Sequence, residues 1–201
     1  MDVADQDVAE SFVAPDRVAA EAVGVLTQAE ILDAIQRGRV SLQFISPAQV
    51  DGRGALNTSR VRQPDGALRR LPGGLATADI ARLIGRLVAY RAAHALRFLP
   101  DEVDFVTGAP GRVAAIVTDL AVLEWSGDSF RVASVHNGVS VEDVRARTGF
   151  PLPGDTSVPV TEAPPPEALD LLREQIDPHG LRRLEVRATR GEALRALEAL
   201  G

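Results

Sequence analysis

The sequence contains no cysteine, which excludes a thiolate nucleophile, a disulfide and a thiolate metal site. It contains no lysine either, so all 22 basic residues are arginine. Schiff-base catalysis and a lysine-bearing phosphate loop are excluded with it. Positive charge is not in excess: 28 acidic residues set the formal net charge at −6. That disfavours nucleic acid or an anionic membrane as partner, since phosphates need a basic face. No apolar run approaches the ~20 residues of a membrane span. The first ten residues are acidic and lack the basic-then-apolar order of a signal peptide, so a soluble, cytoplasmic protein is expected. The three histidines, His94, His136 and His179, have no metal-ligand spacing and read as structural; no metal is expected. Carboxylates, hydroxyls, arginines and backbone amides remain to carry any chemistry.

At 201 residues the chain reads as a single domain over 1–201, large enough to bury roughly 70% of its unfolded surface. Residues 1–15 are expected to be disordered, and the proline-rich stretch 151–166 to be a linker or surface meander. Apolar spacing predicts one or two amphipathic helices over 16–35, with Thr27 and Glu30 as a capping box and Gly38 as the stop. Alternation predicts a strand over 40–45. Residues 51–75, rich in Gly, Pro, Asp and Arg, read as loop. A helix capped by Thr77 is predicted through His94, with Ile80, Leu83, Ile84, Leu87 and Val88 on one face. Short β-branched runs predict strands over 103–107, 113–118, 121–125 and 131–135, with a hairpin turn at 125–130. Helices are predicted over 141–147, over 167–176 behind Pro166, and over 191–200. Strands alternating with helices favour an α/β fold with a mostly parallel sheet flanked by helices.

Several short motifs recur in a fixed order. The first segment carries Ser46-Pro47-Ala48-Gln49-Val50-Asp51, Gly54, Asn57, Leu71-Pro72-Gly73-Gly74 and Asp79-Ile80-Ala81. The second carries Val103-Asp104-Phe105-Val106-Thr107, Val117-Thr118-Asp119-Leu120, His136-Asn137-Gly138-Val139, Thr148-Gly149-Phe150 and Arg173-Glu174-Gln175-Ile176-Asp177-Pro178. In that order they resemble the β subunit of a family I coenzyme A transferase of the glutaconate type. No piece is diagnostic alone; the ordered series carries the resemblance.

The resemblance implies a β subunit paired with a separate α subunit, acting on an acyl-CoA thioester and moving CoA between carboxylic acids. It implies no permanently bound cofactor. Relatives of this class also include a CoA-ester hydrolase and a decarboxylase, and a non-catalytic structural subunit is the further alternative. In the family a glutamate attacks the thioester, which requires amide donors for the oxyanion and a sheltered pocket. The counterpart here is Glu10 in Val8-Ala9-Glu10-Ser11-Phe12, where Phe12 replaces the family's glycine; the alternative is a solvated residue of the terminus.

Pro47, Ala48, Gln49, Asn57, Gly73 and Gly74 are the substrate or CoA-binding candidates. Gly73 and Gly74 suit an amide nest or, alternatively, an ordinary turn. Leu75, Ala76 and Ala78 stand where the family pattern has two glycines and an asparagine. Gln49 is suited to donate to a substrate oxygen, and Asp51 to close an Asx-type turn over residues 52–54. Arg60, Arg62, Arg69 and Arg70 read either as phosphate or carboxylate ligands or as a solvated basic face.

Overall fold

Leu87, Val88 and Ala89 are buried in succession, the pattern of a strand covered on both faces. Gly85 precedes them, and the chain there runs as strand β6 (Arg86–Tyr90), not as the continuation of a helix. The helix expected through His94 therefore ends at Leu83. Of its apolar positions, Ile80 and Leu83 belong to the helix, Ile84 is the extended residue that ends it, and Leu87 and Val88 belong to the sheet. A short, continuous apolar run satisfies both periods, and the glycine decides between them.

The structure is a computed structural model and describes Gly24, residues 26–74 and residues 76–199. The described residues fall into two compact units, one over 28–161 and one made of 162–199 together with the described residues up to Thr27. In the first, α1 (Gln28–Gln36) leads to β1 (Leu42–Ile45). Two small antiparallel pairs follow: β2 (Gln49–Val50) with β3 (Leu56–Asn57), and β4 (Arg60–Arg62) with β5 (Leu68–Arg70). Then come α2 (Thr77–Leu83), β6, β7 (Val113–Val117), β8 (Ala121–Trp125), β9 (Phe130–Val135) and α3 (Val141–Ala146). The α3 start is fixed by a capping box. The Ser140 hydroxyl accepts the Asp143 amide at 3.1 Å, and the Asp143 carboxylate accepts the Ser140 amide at 3.2 Å.

The main sheet has five strands in the order β1-β6-β7-β8-β9. β1, β6 and β7 pair in parallel; β8 and β9 return antiparallel through the Ser126–Ser129 turn. The α/β expectation holds, and the parallel part of the sheet is its β1-β6-β7 half. The core lies on this sheet, with Leu87, Ile116, Leu123 and Phe130 wholly buried among Ile35, Ile84, Phe98 and Val144.

Residues 103–107, expected as a strand, have no regular structure, although Val103 is buried. Phe105 and Val106 are exposed; the segment's partner is the β3 region, where the Thr107 and Gly108 amides donate to the Leu56 carbonyl at 2.7 and 3.0 Å. Of the proline-rich stretch, residues 151–165 likewise lack helix, and Val160 adds a single parallel bridge beside Val135.

In the second unit, α4 (Pro166–Asp170) opens with proline at its first turn and continues into a π-type turn, Leu171–Ile176. Asp177 closes it. Its carboxylate accepts the Leu181 and Arg182 amides at 2.6 and 3.0 Å and the Arg182 guanidinium at 2.6 Å. Burial opposes ionisation there, but these bonds outweigh it and hold the carboxyl below its usual range. α5 (Arg190–Glu198) ends the described chain.

Candidate active site

The peptide leaving β1 is held by polar groups rather than by packing alone. The Pro47 carbonyl accepts Arg91 Nη1 at 3.0 Å, tying the exit of β1 to the exit of β6. β2 and β3 then form a tight ribbon whose turn is set by Asp51, fully buried, which accepts the Arg53 and Ala55 amides at 3.0 Å each. This is the Asx-type turn expected from the sequence.

Gln49 and Asn57 stand opposite each other in that ribbon. Both are buried, 5% and 0% exposed, so each polar atom needs a partner. Asn57 Nδ2 donates to Gln49 Oε1 at 2.7 Å and to the Arg60 carbonyl at 2.5 Å. Asn57 Oδ1 accepts the Ser59 and Arg60 amides at 3.0 and 3.2 Å. Gln49 Nε2 donates to Asp104 Oδ2 at 2.9 Å, and the Asp104 amide donates back to Gln49 Oε1 at 3.0 Å. These two side chains are committed to a network inside the wall.

Beside that wall lies a cavity of about 480 Å³, bordered by Ser46, Ala48, Thr58, Gly73, Gly74 and Arg91 among others. It sits beyond the carboxyl ends of β1 and β6, where parallel sheets place their ligands. Gly73 has φ +99°, a left-handed conformation that favours glycine. Gly74 has no room for a side chain. A Cβ there would lie 2.5 Å from Thr58 Oγ1, 2.7 Å from Thr77 Oγ1 and 2.8 Å from Thr107 Cγ2. Thr58 Oγ1 is itself buried without a hydrogen-bond partner among the described residues. Thr77 is the first residue of α2 and does not cap it by side chain; its amide donates to the Gly74 carbonyl.

Of the residues singled out in the sequence, Ala48, Gly73 and Gly74 meet at the cavity, while Pro47, Gln49 and Asn57 support its wall. Glu10 lies outside the described residues. Among the described residues the cavity lining carries no carboxylate, and no cluster of three or more His, Cys, Asp or Glu side chains is disposed to hold a metal ion. Arg91 was not foreseen, because the helix reading ran through it. Its signal was its place as the first charged residue after the apolar run Leu87-Val88-Ala89-Tyr90.

His94 is clamped between two hydroxyls, Nδ1 on Thr118 Oγ1 and Nε2 on Thr148 Oγ1, at 2.9 Å each. Burial pushes its pKa down to about 4, with Asp119 opposing the shift and Arg147 adding to it. His136 bridges Thr161 Oγ1 at 3.0 Å and the Thr118 carbonyl at 2.9 Å. Both rings have their nitrogens bonded to protein groups. A further open cavity of about 500 Å³, bordered by Gly52, Arg53, Glu102 and Phe150, holds none of the motif glycines.

No family model matches the chain. It is 32% identical over 157 residues to a subunit of the 3-oxoadipate CoA-transferase of Pseudomonas knackmussii, covering 69% of this chain and 60% of that one. The solved decarboxylase AibA/AibB matches with a TM-score of 0.74 at 28% identity, over 83% of this chain and 69% of that chain. The chain is coenzyme A transferase β-subunit-like. The resemblance read from the ordered motifs is thus borne out. A third match to this CoA-transferase β-subunit-like chain is the cholesterol ring-cleaving hydrolase IpdB subunit of Rhodococcus jostii. That protein is 29% identical over 178 residues, which is 78% of this chain and 67% of the relative. The chain therefore spans about two thirds or less of the length of these curated relatives. No helix among the described residues is long and apolar enough to cross a membrane.

Proposed function

We propose that this chain is the β subunit of a heteromeric enzyme of the CoA-transferase family, acting on an acyl-CoA thioester in the cytoplasm. In this reading an α subunit completes the assembly, CoA passes between carboxylic acids, and no resident cofactor is needed. One observation carries it: the cavity at the carboxyl ends of β1 and β6, bordered by the bare backbone of Gly73 and Gly74 and by Arg91. Glycine backbone allows close approach of a thioester carbonyl, and a guanidinium offers donors to developing negative charge.

The nucleophile in this reading is Glu10. Its carboxylate attacks the thioester carbon, the carbon–sulfur bond breaks, and the CoA thiolate leaves an acyl–glutamyl anhydride. Thiolate attack on the glutamyl carbonyl then releases the acyl carboxylate and leaves a glutamyl-CoA thioester. Incubating the assembled protein with an acyl-CoA donor and then borohydride should reduce that thioester and inactivate the enzyme, and Glu10→Ala should abolish the effect. Inactivation that persists in Glu10→Ala would move the nucleophile to the partner.

A second reading is a hydrolase or decarboxylase relative, or a structural subunit whose chemistry lies on the α partner. The similarity to the hydrolase subunit and to the decarboxylase favours it, as does Ala76 at a position where the family pattern has glycine. Borohydride-resistant cleavage of a CoA ester by the assembly would select it.

A further inference from the structure

Arg60 on β4 and Arg70 on β5 are direct cross-strand partners, so their side chains share one face of the ribbon. Like charges in that register destabilise a ribbon, and carboxylates outnumber arginines in this chain. Yet among the described residues neither Arg60 nor Arg70 has a carboxylate within ion-pair distance, whereas the neighbouring Arg62 lies 4.0 Å from Asp104. Arg60 instead lies over the Phe105 ring, 5.2 Å from its centroid, which holds the guanidinium plane in place at little cost. The two arginines border a cavity of about 270 Å³. That cavity shares Leu71 and Gly73 with the larger one.

We propose that Arg60 and Arg70 form an anion clamp beside the glycine loop, taking a carboxylate or phosphate group of the acyl-CoA substrate. The inference rests on the acyl-CoA reading and names the feature of that substrate the chain selects. Two planar guanidinium forks suit a carboxylate or a phosphate, each of which accepts paired N–H donors. The anion has two possible sources: a carboxylate at the far end of the acyl group, or a phosphate of CoA. An anion seated there would also relieve the repulsion between the two arginines.

Isothermal titration of the intact chain in its purified assembly tests this with three probes: glutaryl-CoA, butyryl-CoA and 3′-dephospho-butyryl-CoA. The wild type should prefer the probe bearing the extra anion by roughly 10- to 100-fold in one of two comparisons. Glutaryl over butyryl identifies the acyl carboxylate; butyryl-CoA over its dephospho form identifies the phosphate. Arg60→Gln and Arg70→Gln should each remove most of that preference, and Arg70→Lys should keep part of it. Arg112→Gln, which changes an exposed arginine just ahead of β7 that borders neither cavity, should keep it all. Circular dichroism checks that the variants are folded, and either single variant suffices. If the wild type binds the probes without preference, or the Gln variants retain it, the clamp is overturned and the acyl-CoA reading stands. If the wild type binds none of them, both fall.

Discussion

The carboxamides of Gln49 and Asn57 are buried and bonded to each other, to Asp104 and to the backbone. Arg60, Arg70 and the Thr58 hydroxyl, which border the neighbouring cavities, lack such partners among the described residues. Both sets come from one stretch of about twenty residues, and the contrast separates their duties. Polar groups that satisfy one another fix the backbone. Polar groups left open beside a cavity are available to a ligand. The family motif includes Gln49 and Asn57 but none of Arg60, Arg70 and Thr58, so a motif match alone does not mark the groups that are open to a ligand.

The largest expected effect breaks the satisfied side. Asn57→Ala removes one donor to Gln49 Oε1, the donor to the Arg60 carbonyl and the acceptor of the Ser59 and Arg60 amides, and should cost about 2–4 kcal/mol. Urea unfolding measures it. A loss no larger than that of a surface substitution would remove the distinction drawn here.

Gly74→Ala comes next. Its Cβ would press on Thr58, Thr77 and Thr107, at a cost of about 1–3 kcal/mol, and should also weaken acyl-CoA binding. Unchanged stability and binding together would show that the loop yields.

The third test uses pH. His94 titrates near 6.5 when unfolded and near 4 when folded. Between those values the unfolded chain binds more protons, so stability is full above about pH 6.5 and falls as pH drops towards 4. Below about pH 4 this group adds nothing further. The loss is about 1–2 kcal/mol after discounting for solvent screening. His94→Gln should flatten that slope in urea midpoints measured from pH 7 to 4.

The smallest effect is on the open side. Arg70→Gln should change stability by less than about 0.5 kcal/mol, since its side chain has no ion pair among the described residues. A much larger loss would place Arg70 with the scaffold.

Much of this was legible in the sequence, but unevenly. The ordered motifs pointed to the fold class, and the glycine loop pointed to the cavity. Residues 113–135 were read well because β-branched runs and a Ser-Gly-Asp-Ser turn leave one interpretation. Residues 84–91 were not. A strand buried on both faces has no alternation, so its apolar positions joined the helix before it, and Arg91 was hidden with them. Residues 103–107 have strand composition, but Phe105 serves an arginine instead of a neighbouring strand. The β4–β5 ribbon was lost in a loop reading because its face is charged. Its register, and with it the Arg60–Arg70 pairing, becomes visible only in the structure.

On the proposed function, an acyl-CoA binds beside the glycine loop, at the carboxyl ends of β1 and β6. Hydrogen exchange of the assembled protein, with and without glutaryl-CoA, tests it most directly. Exchange should slow over residues 46–48 and 71–77 and stay unchanged over residues 113–125. Unchanged exchange over 71–77, or protection confined to the region around Gly52 and Phe150, would contradict it.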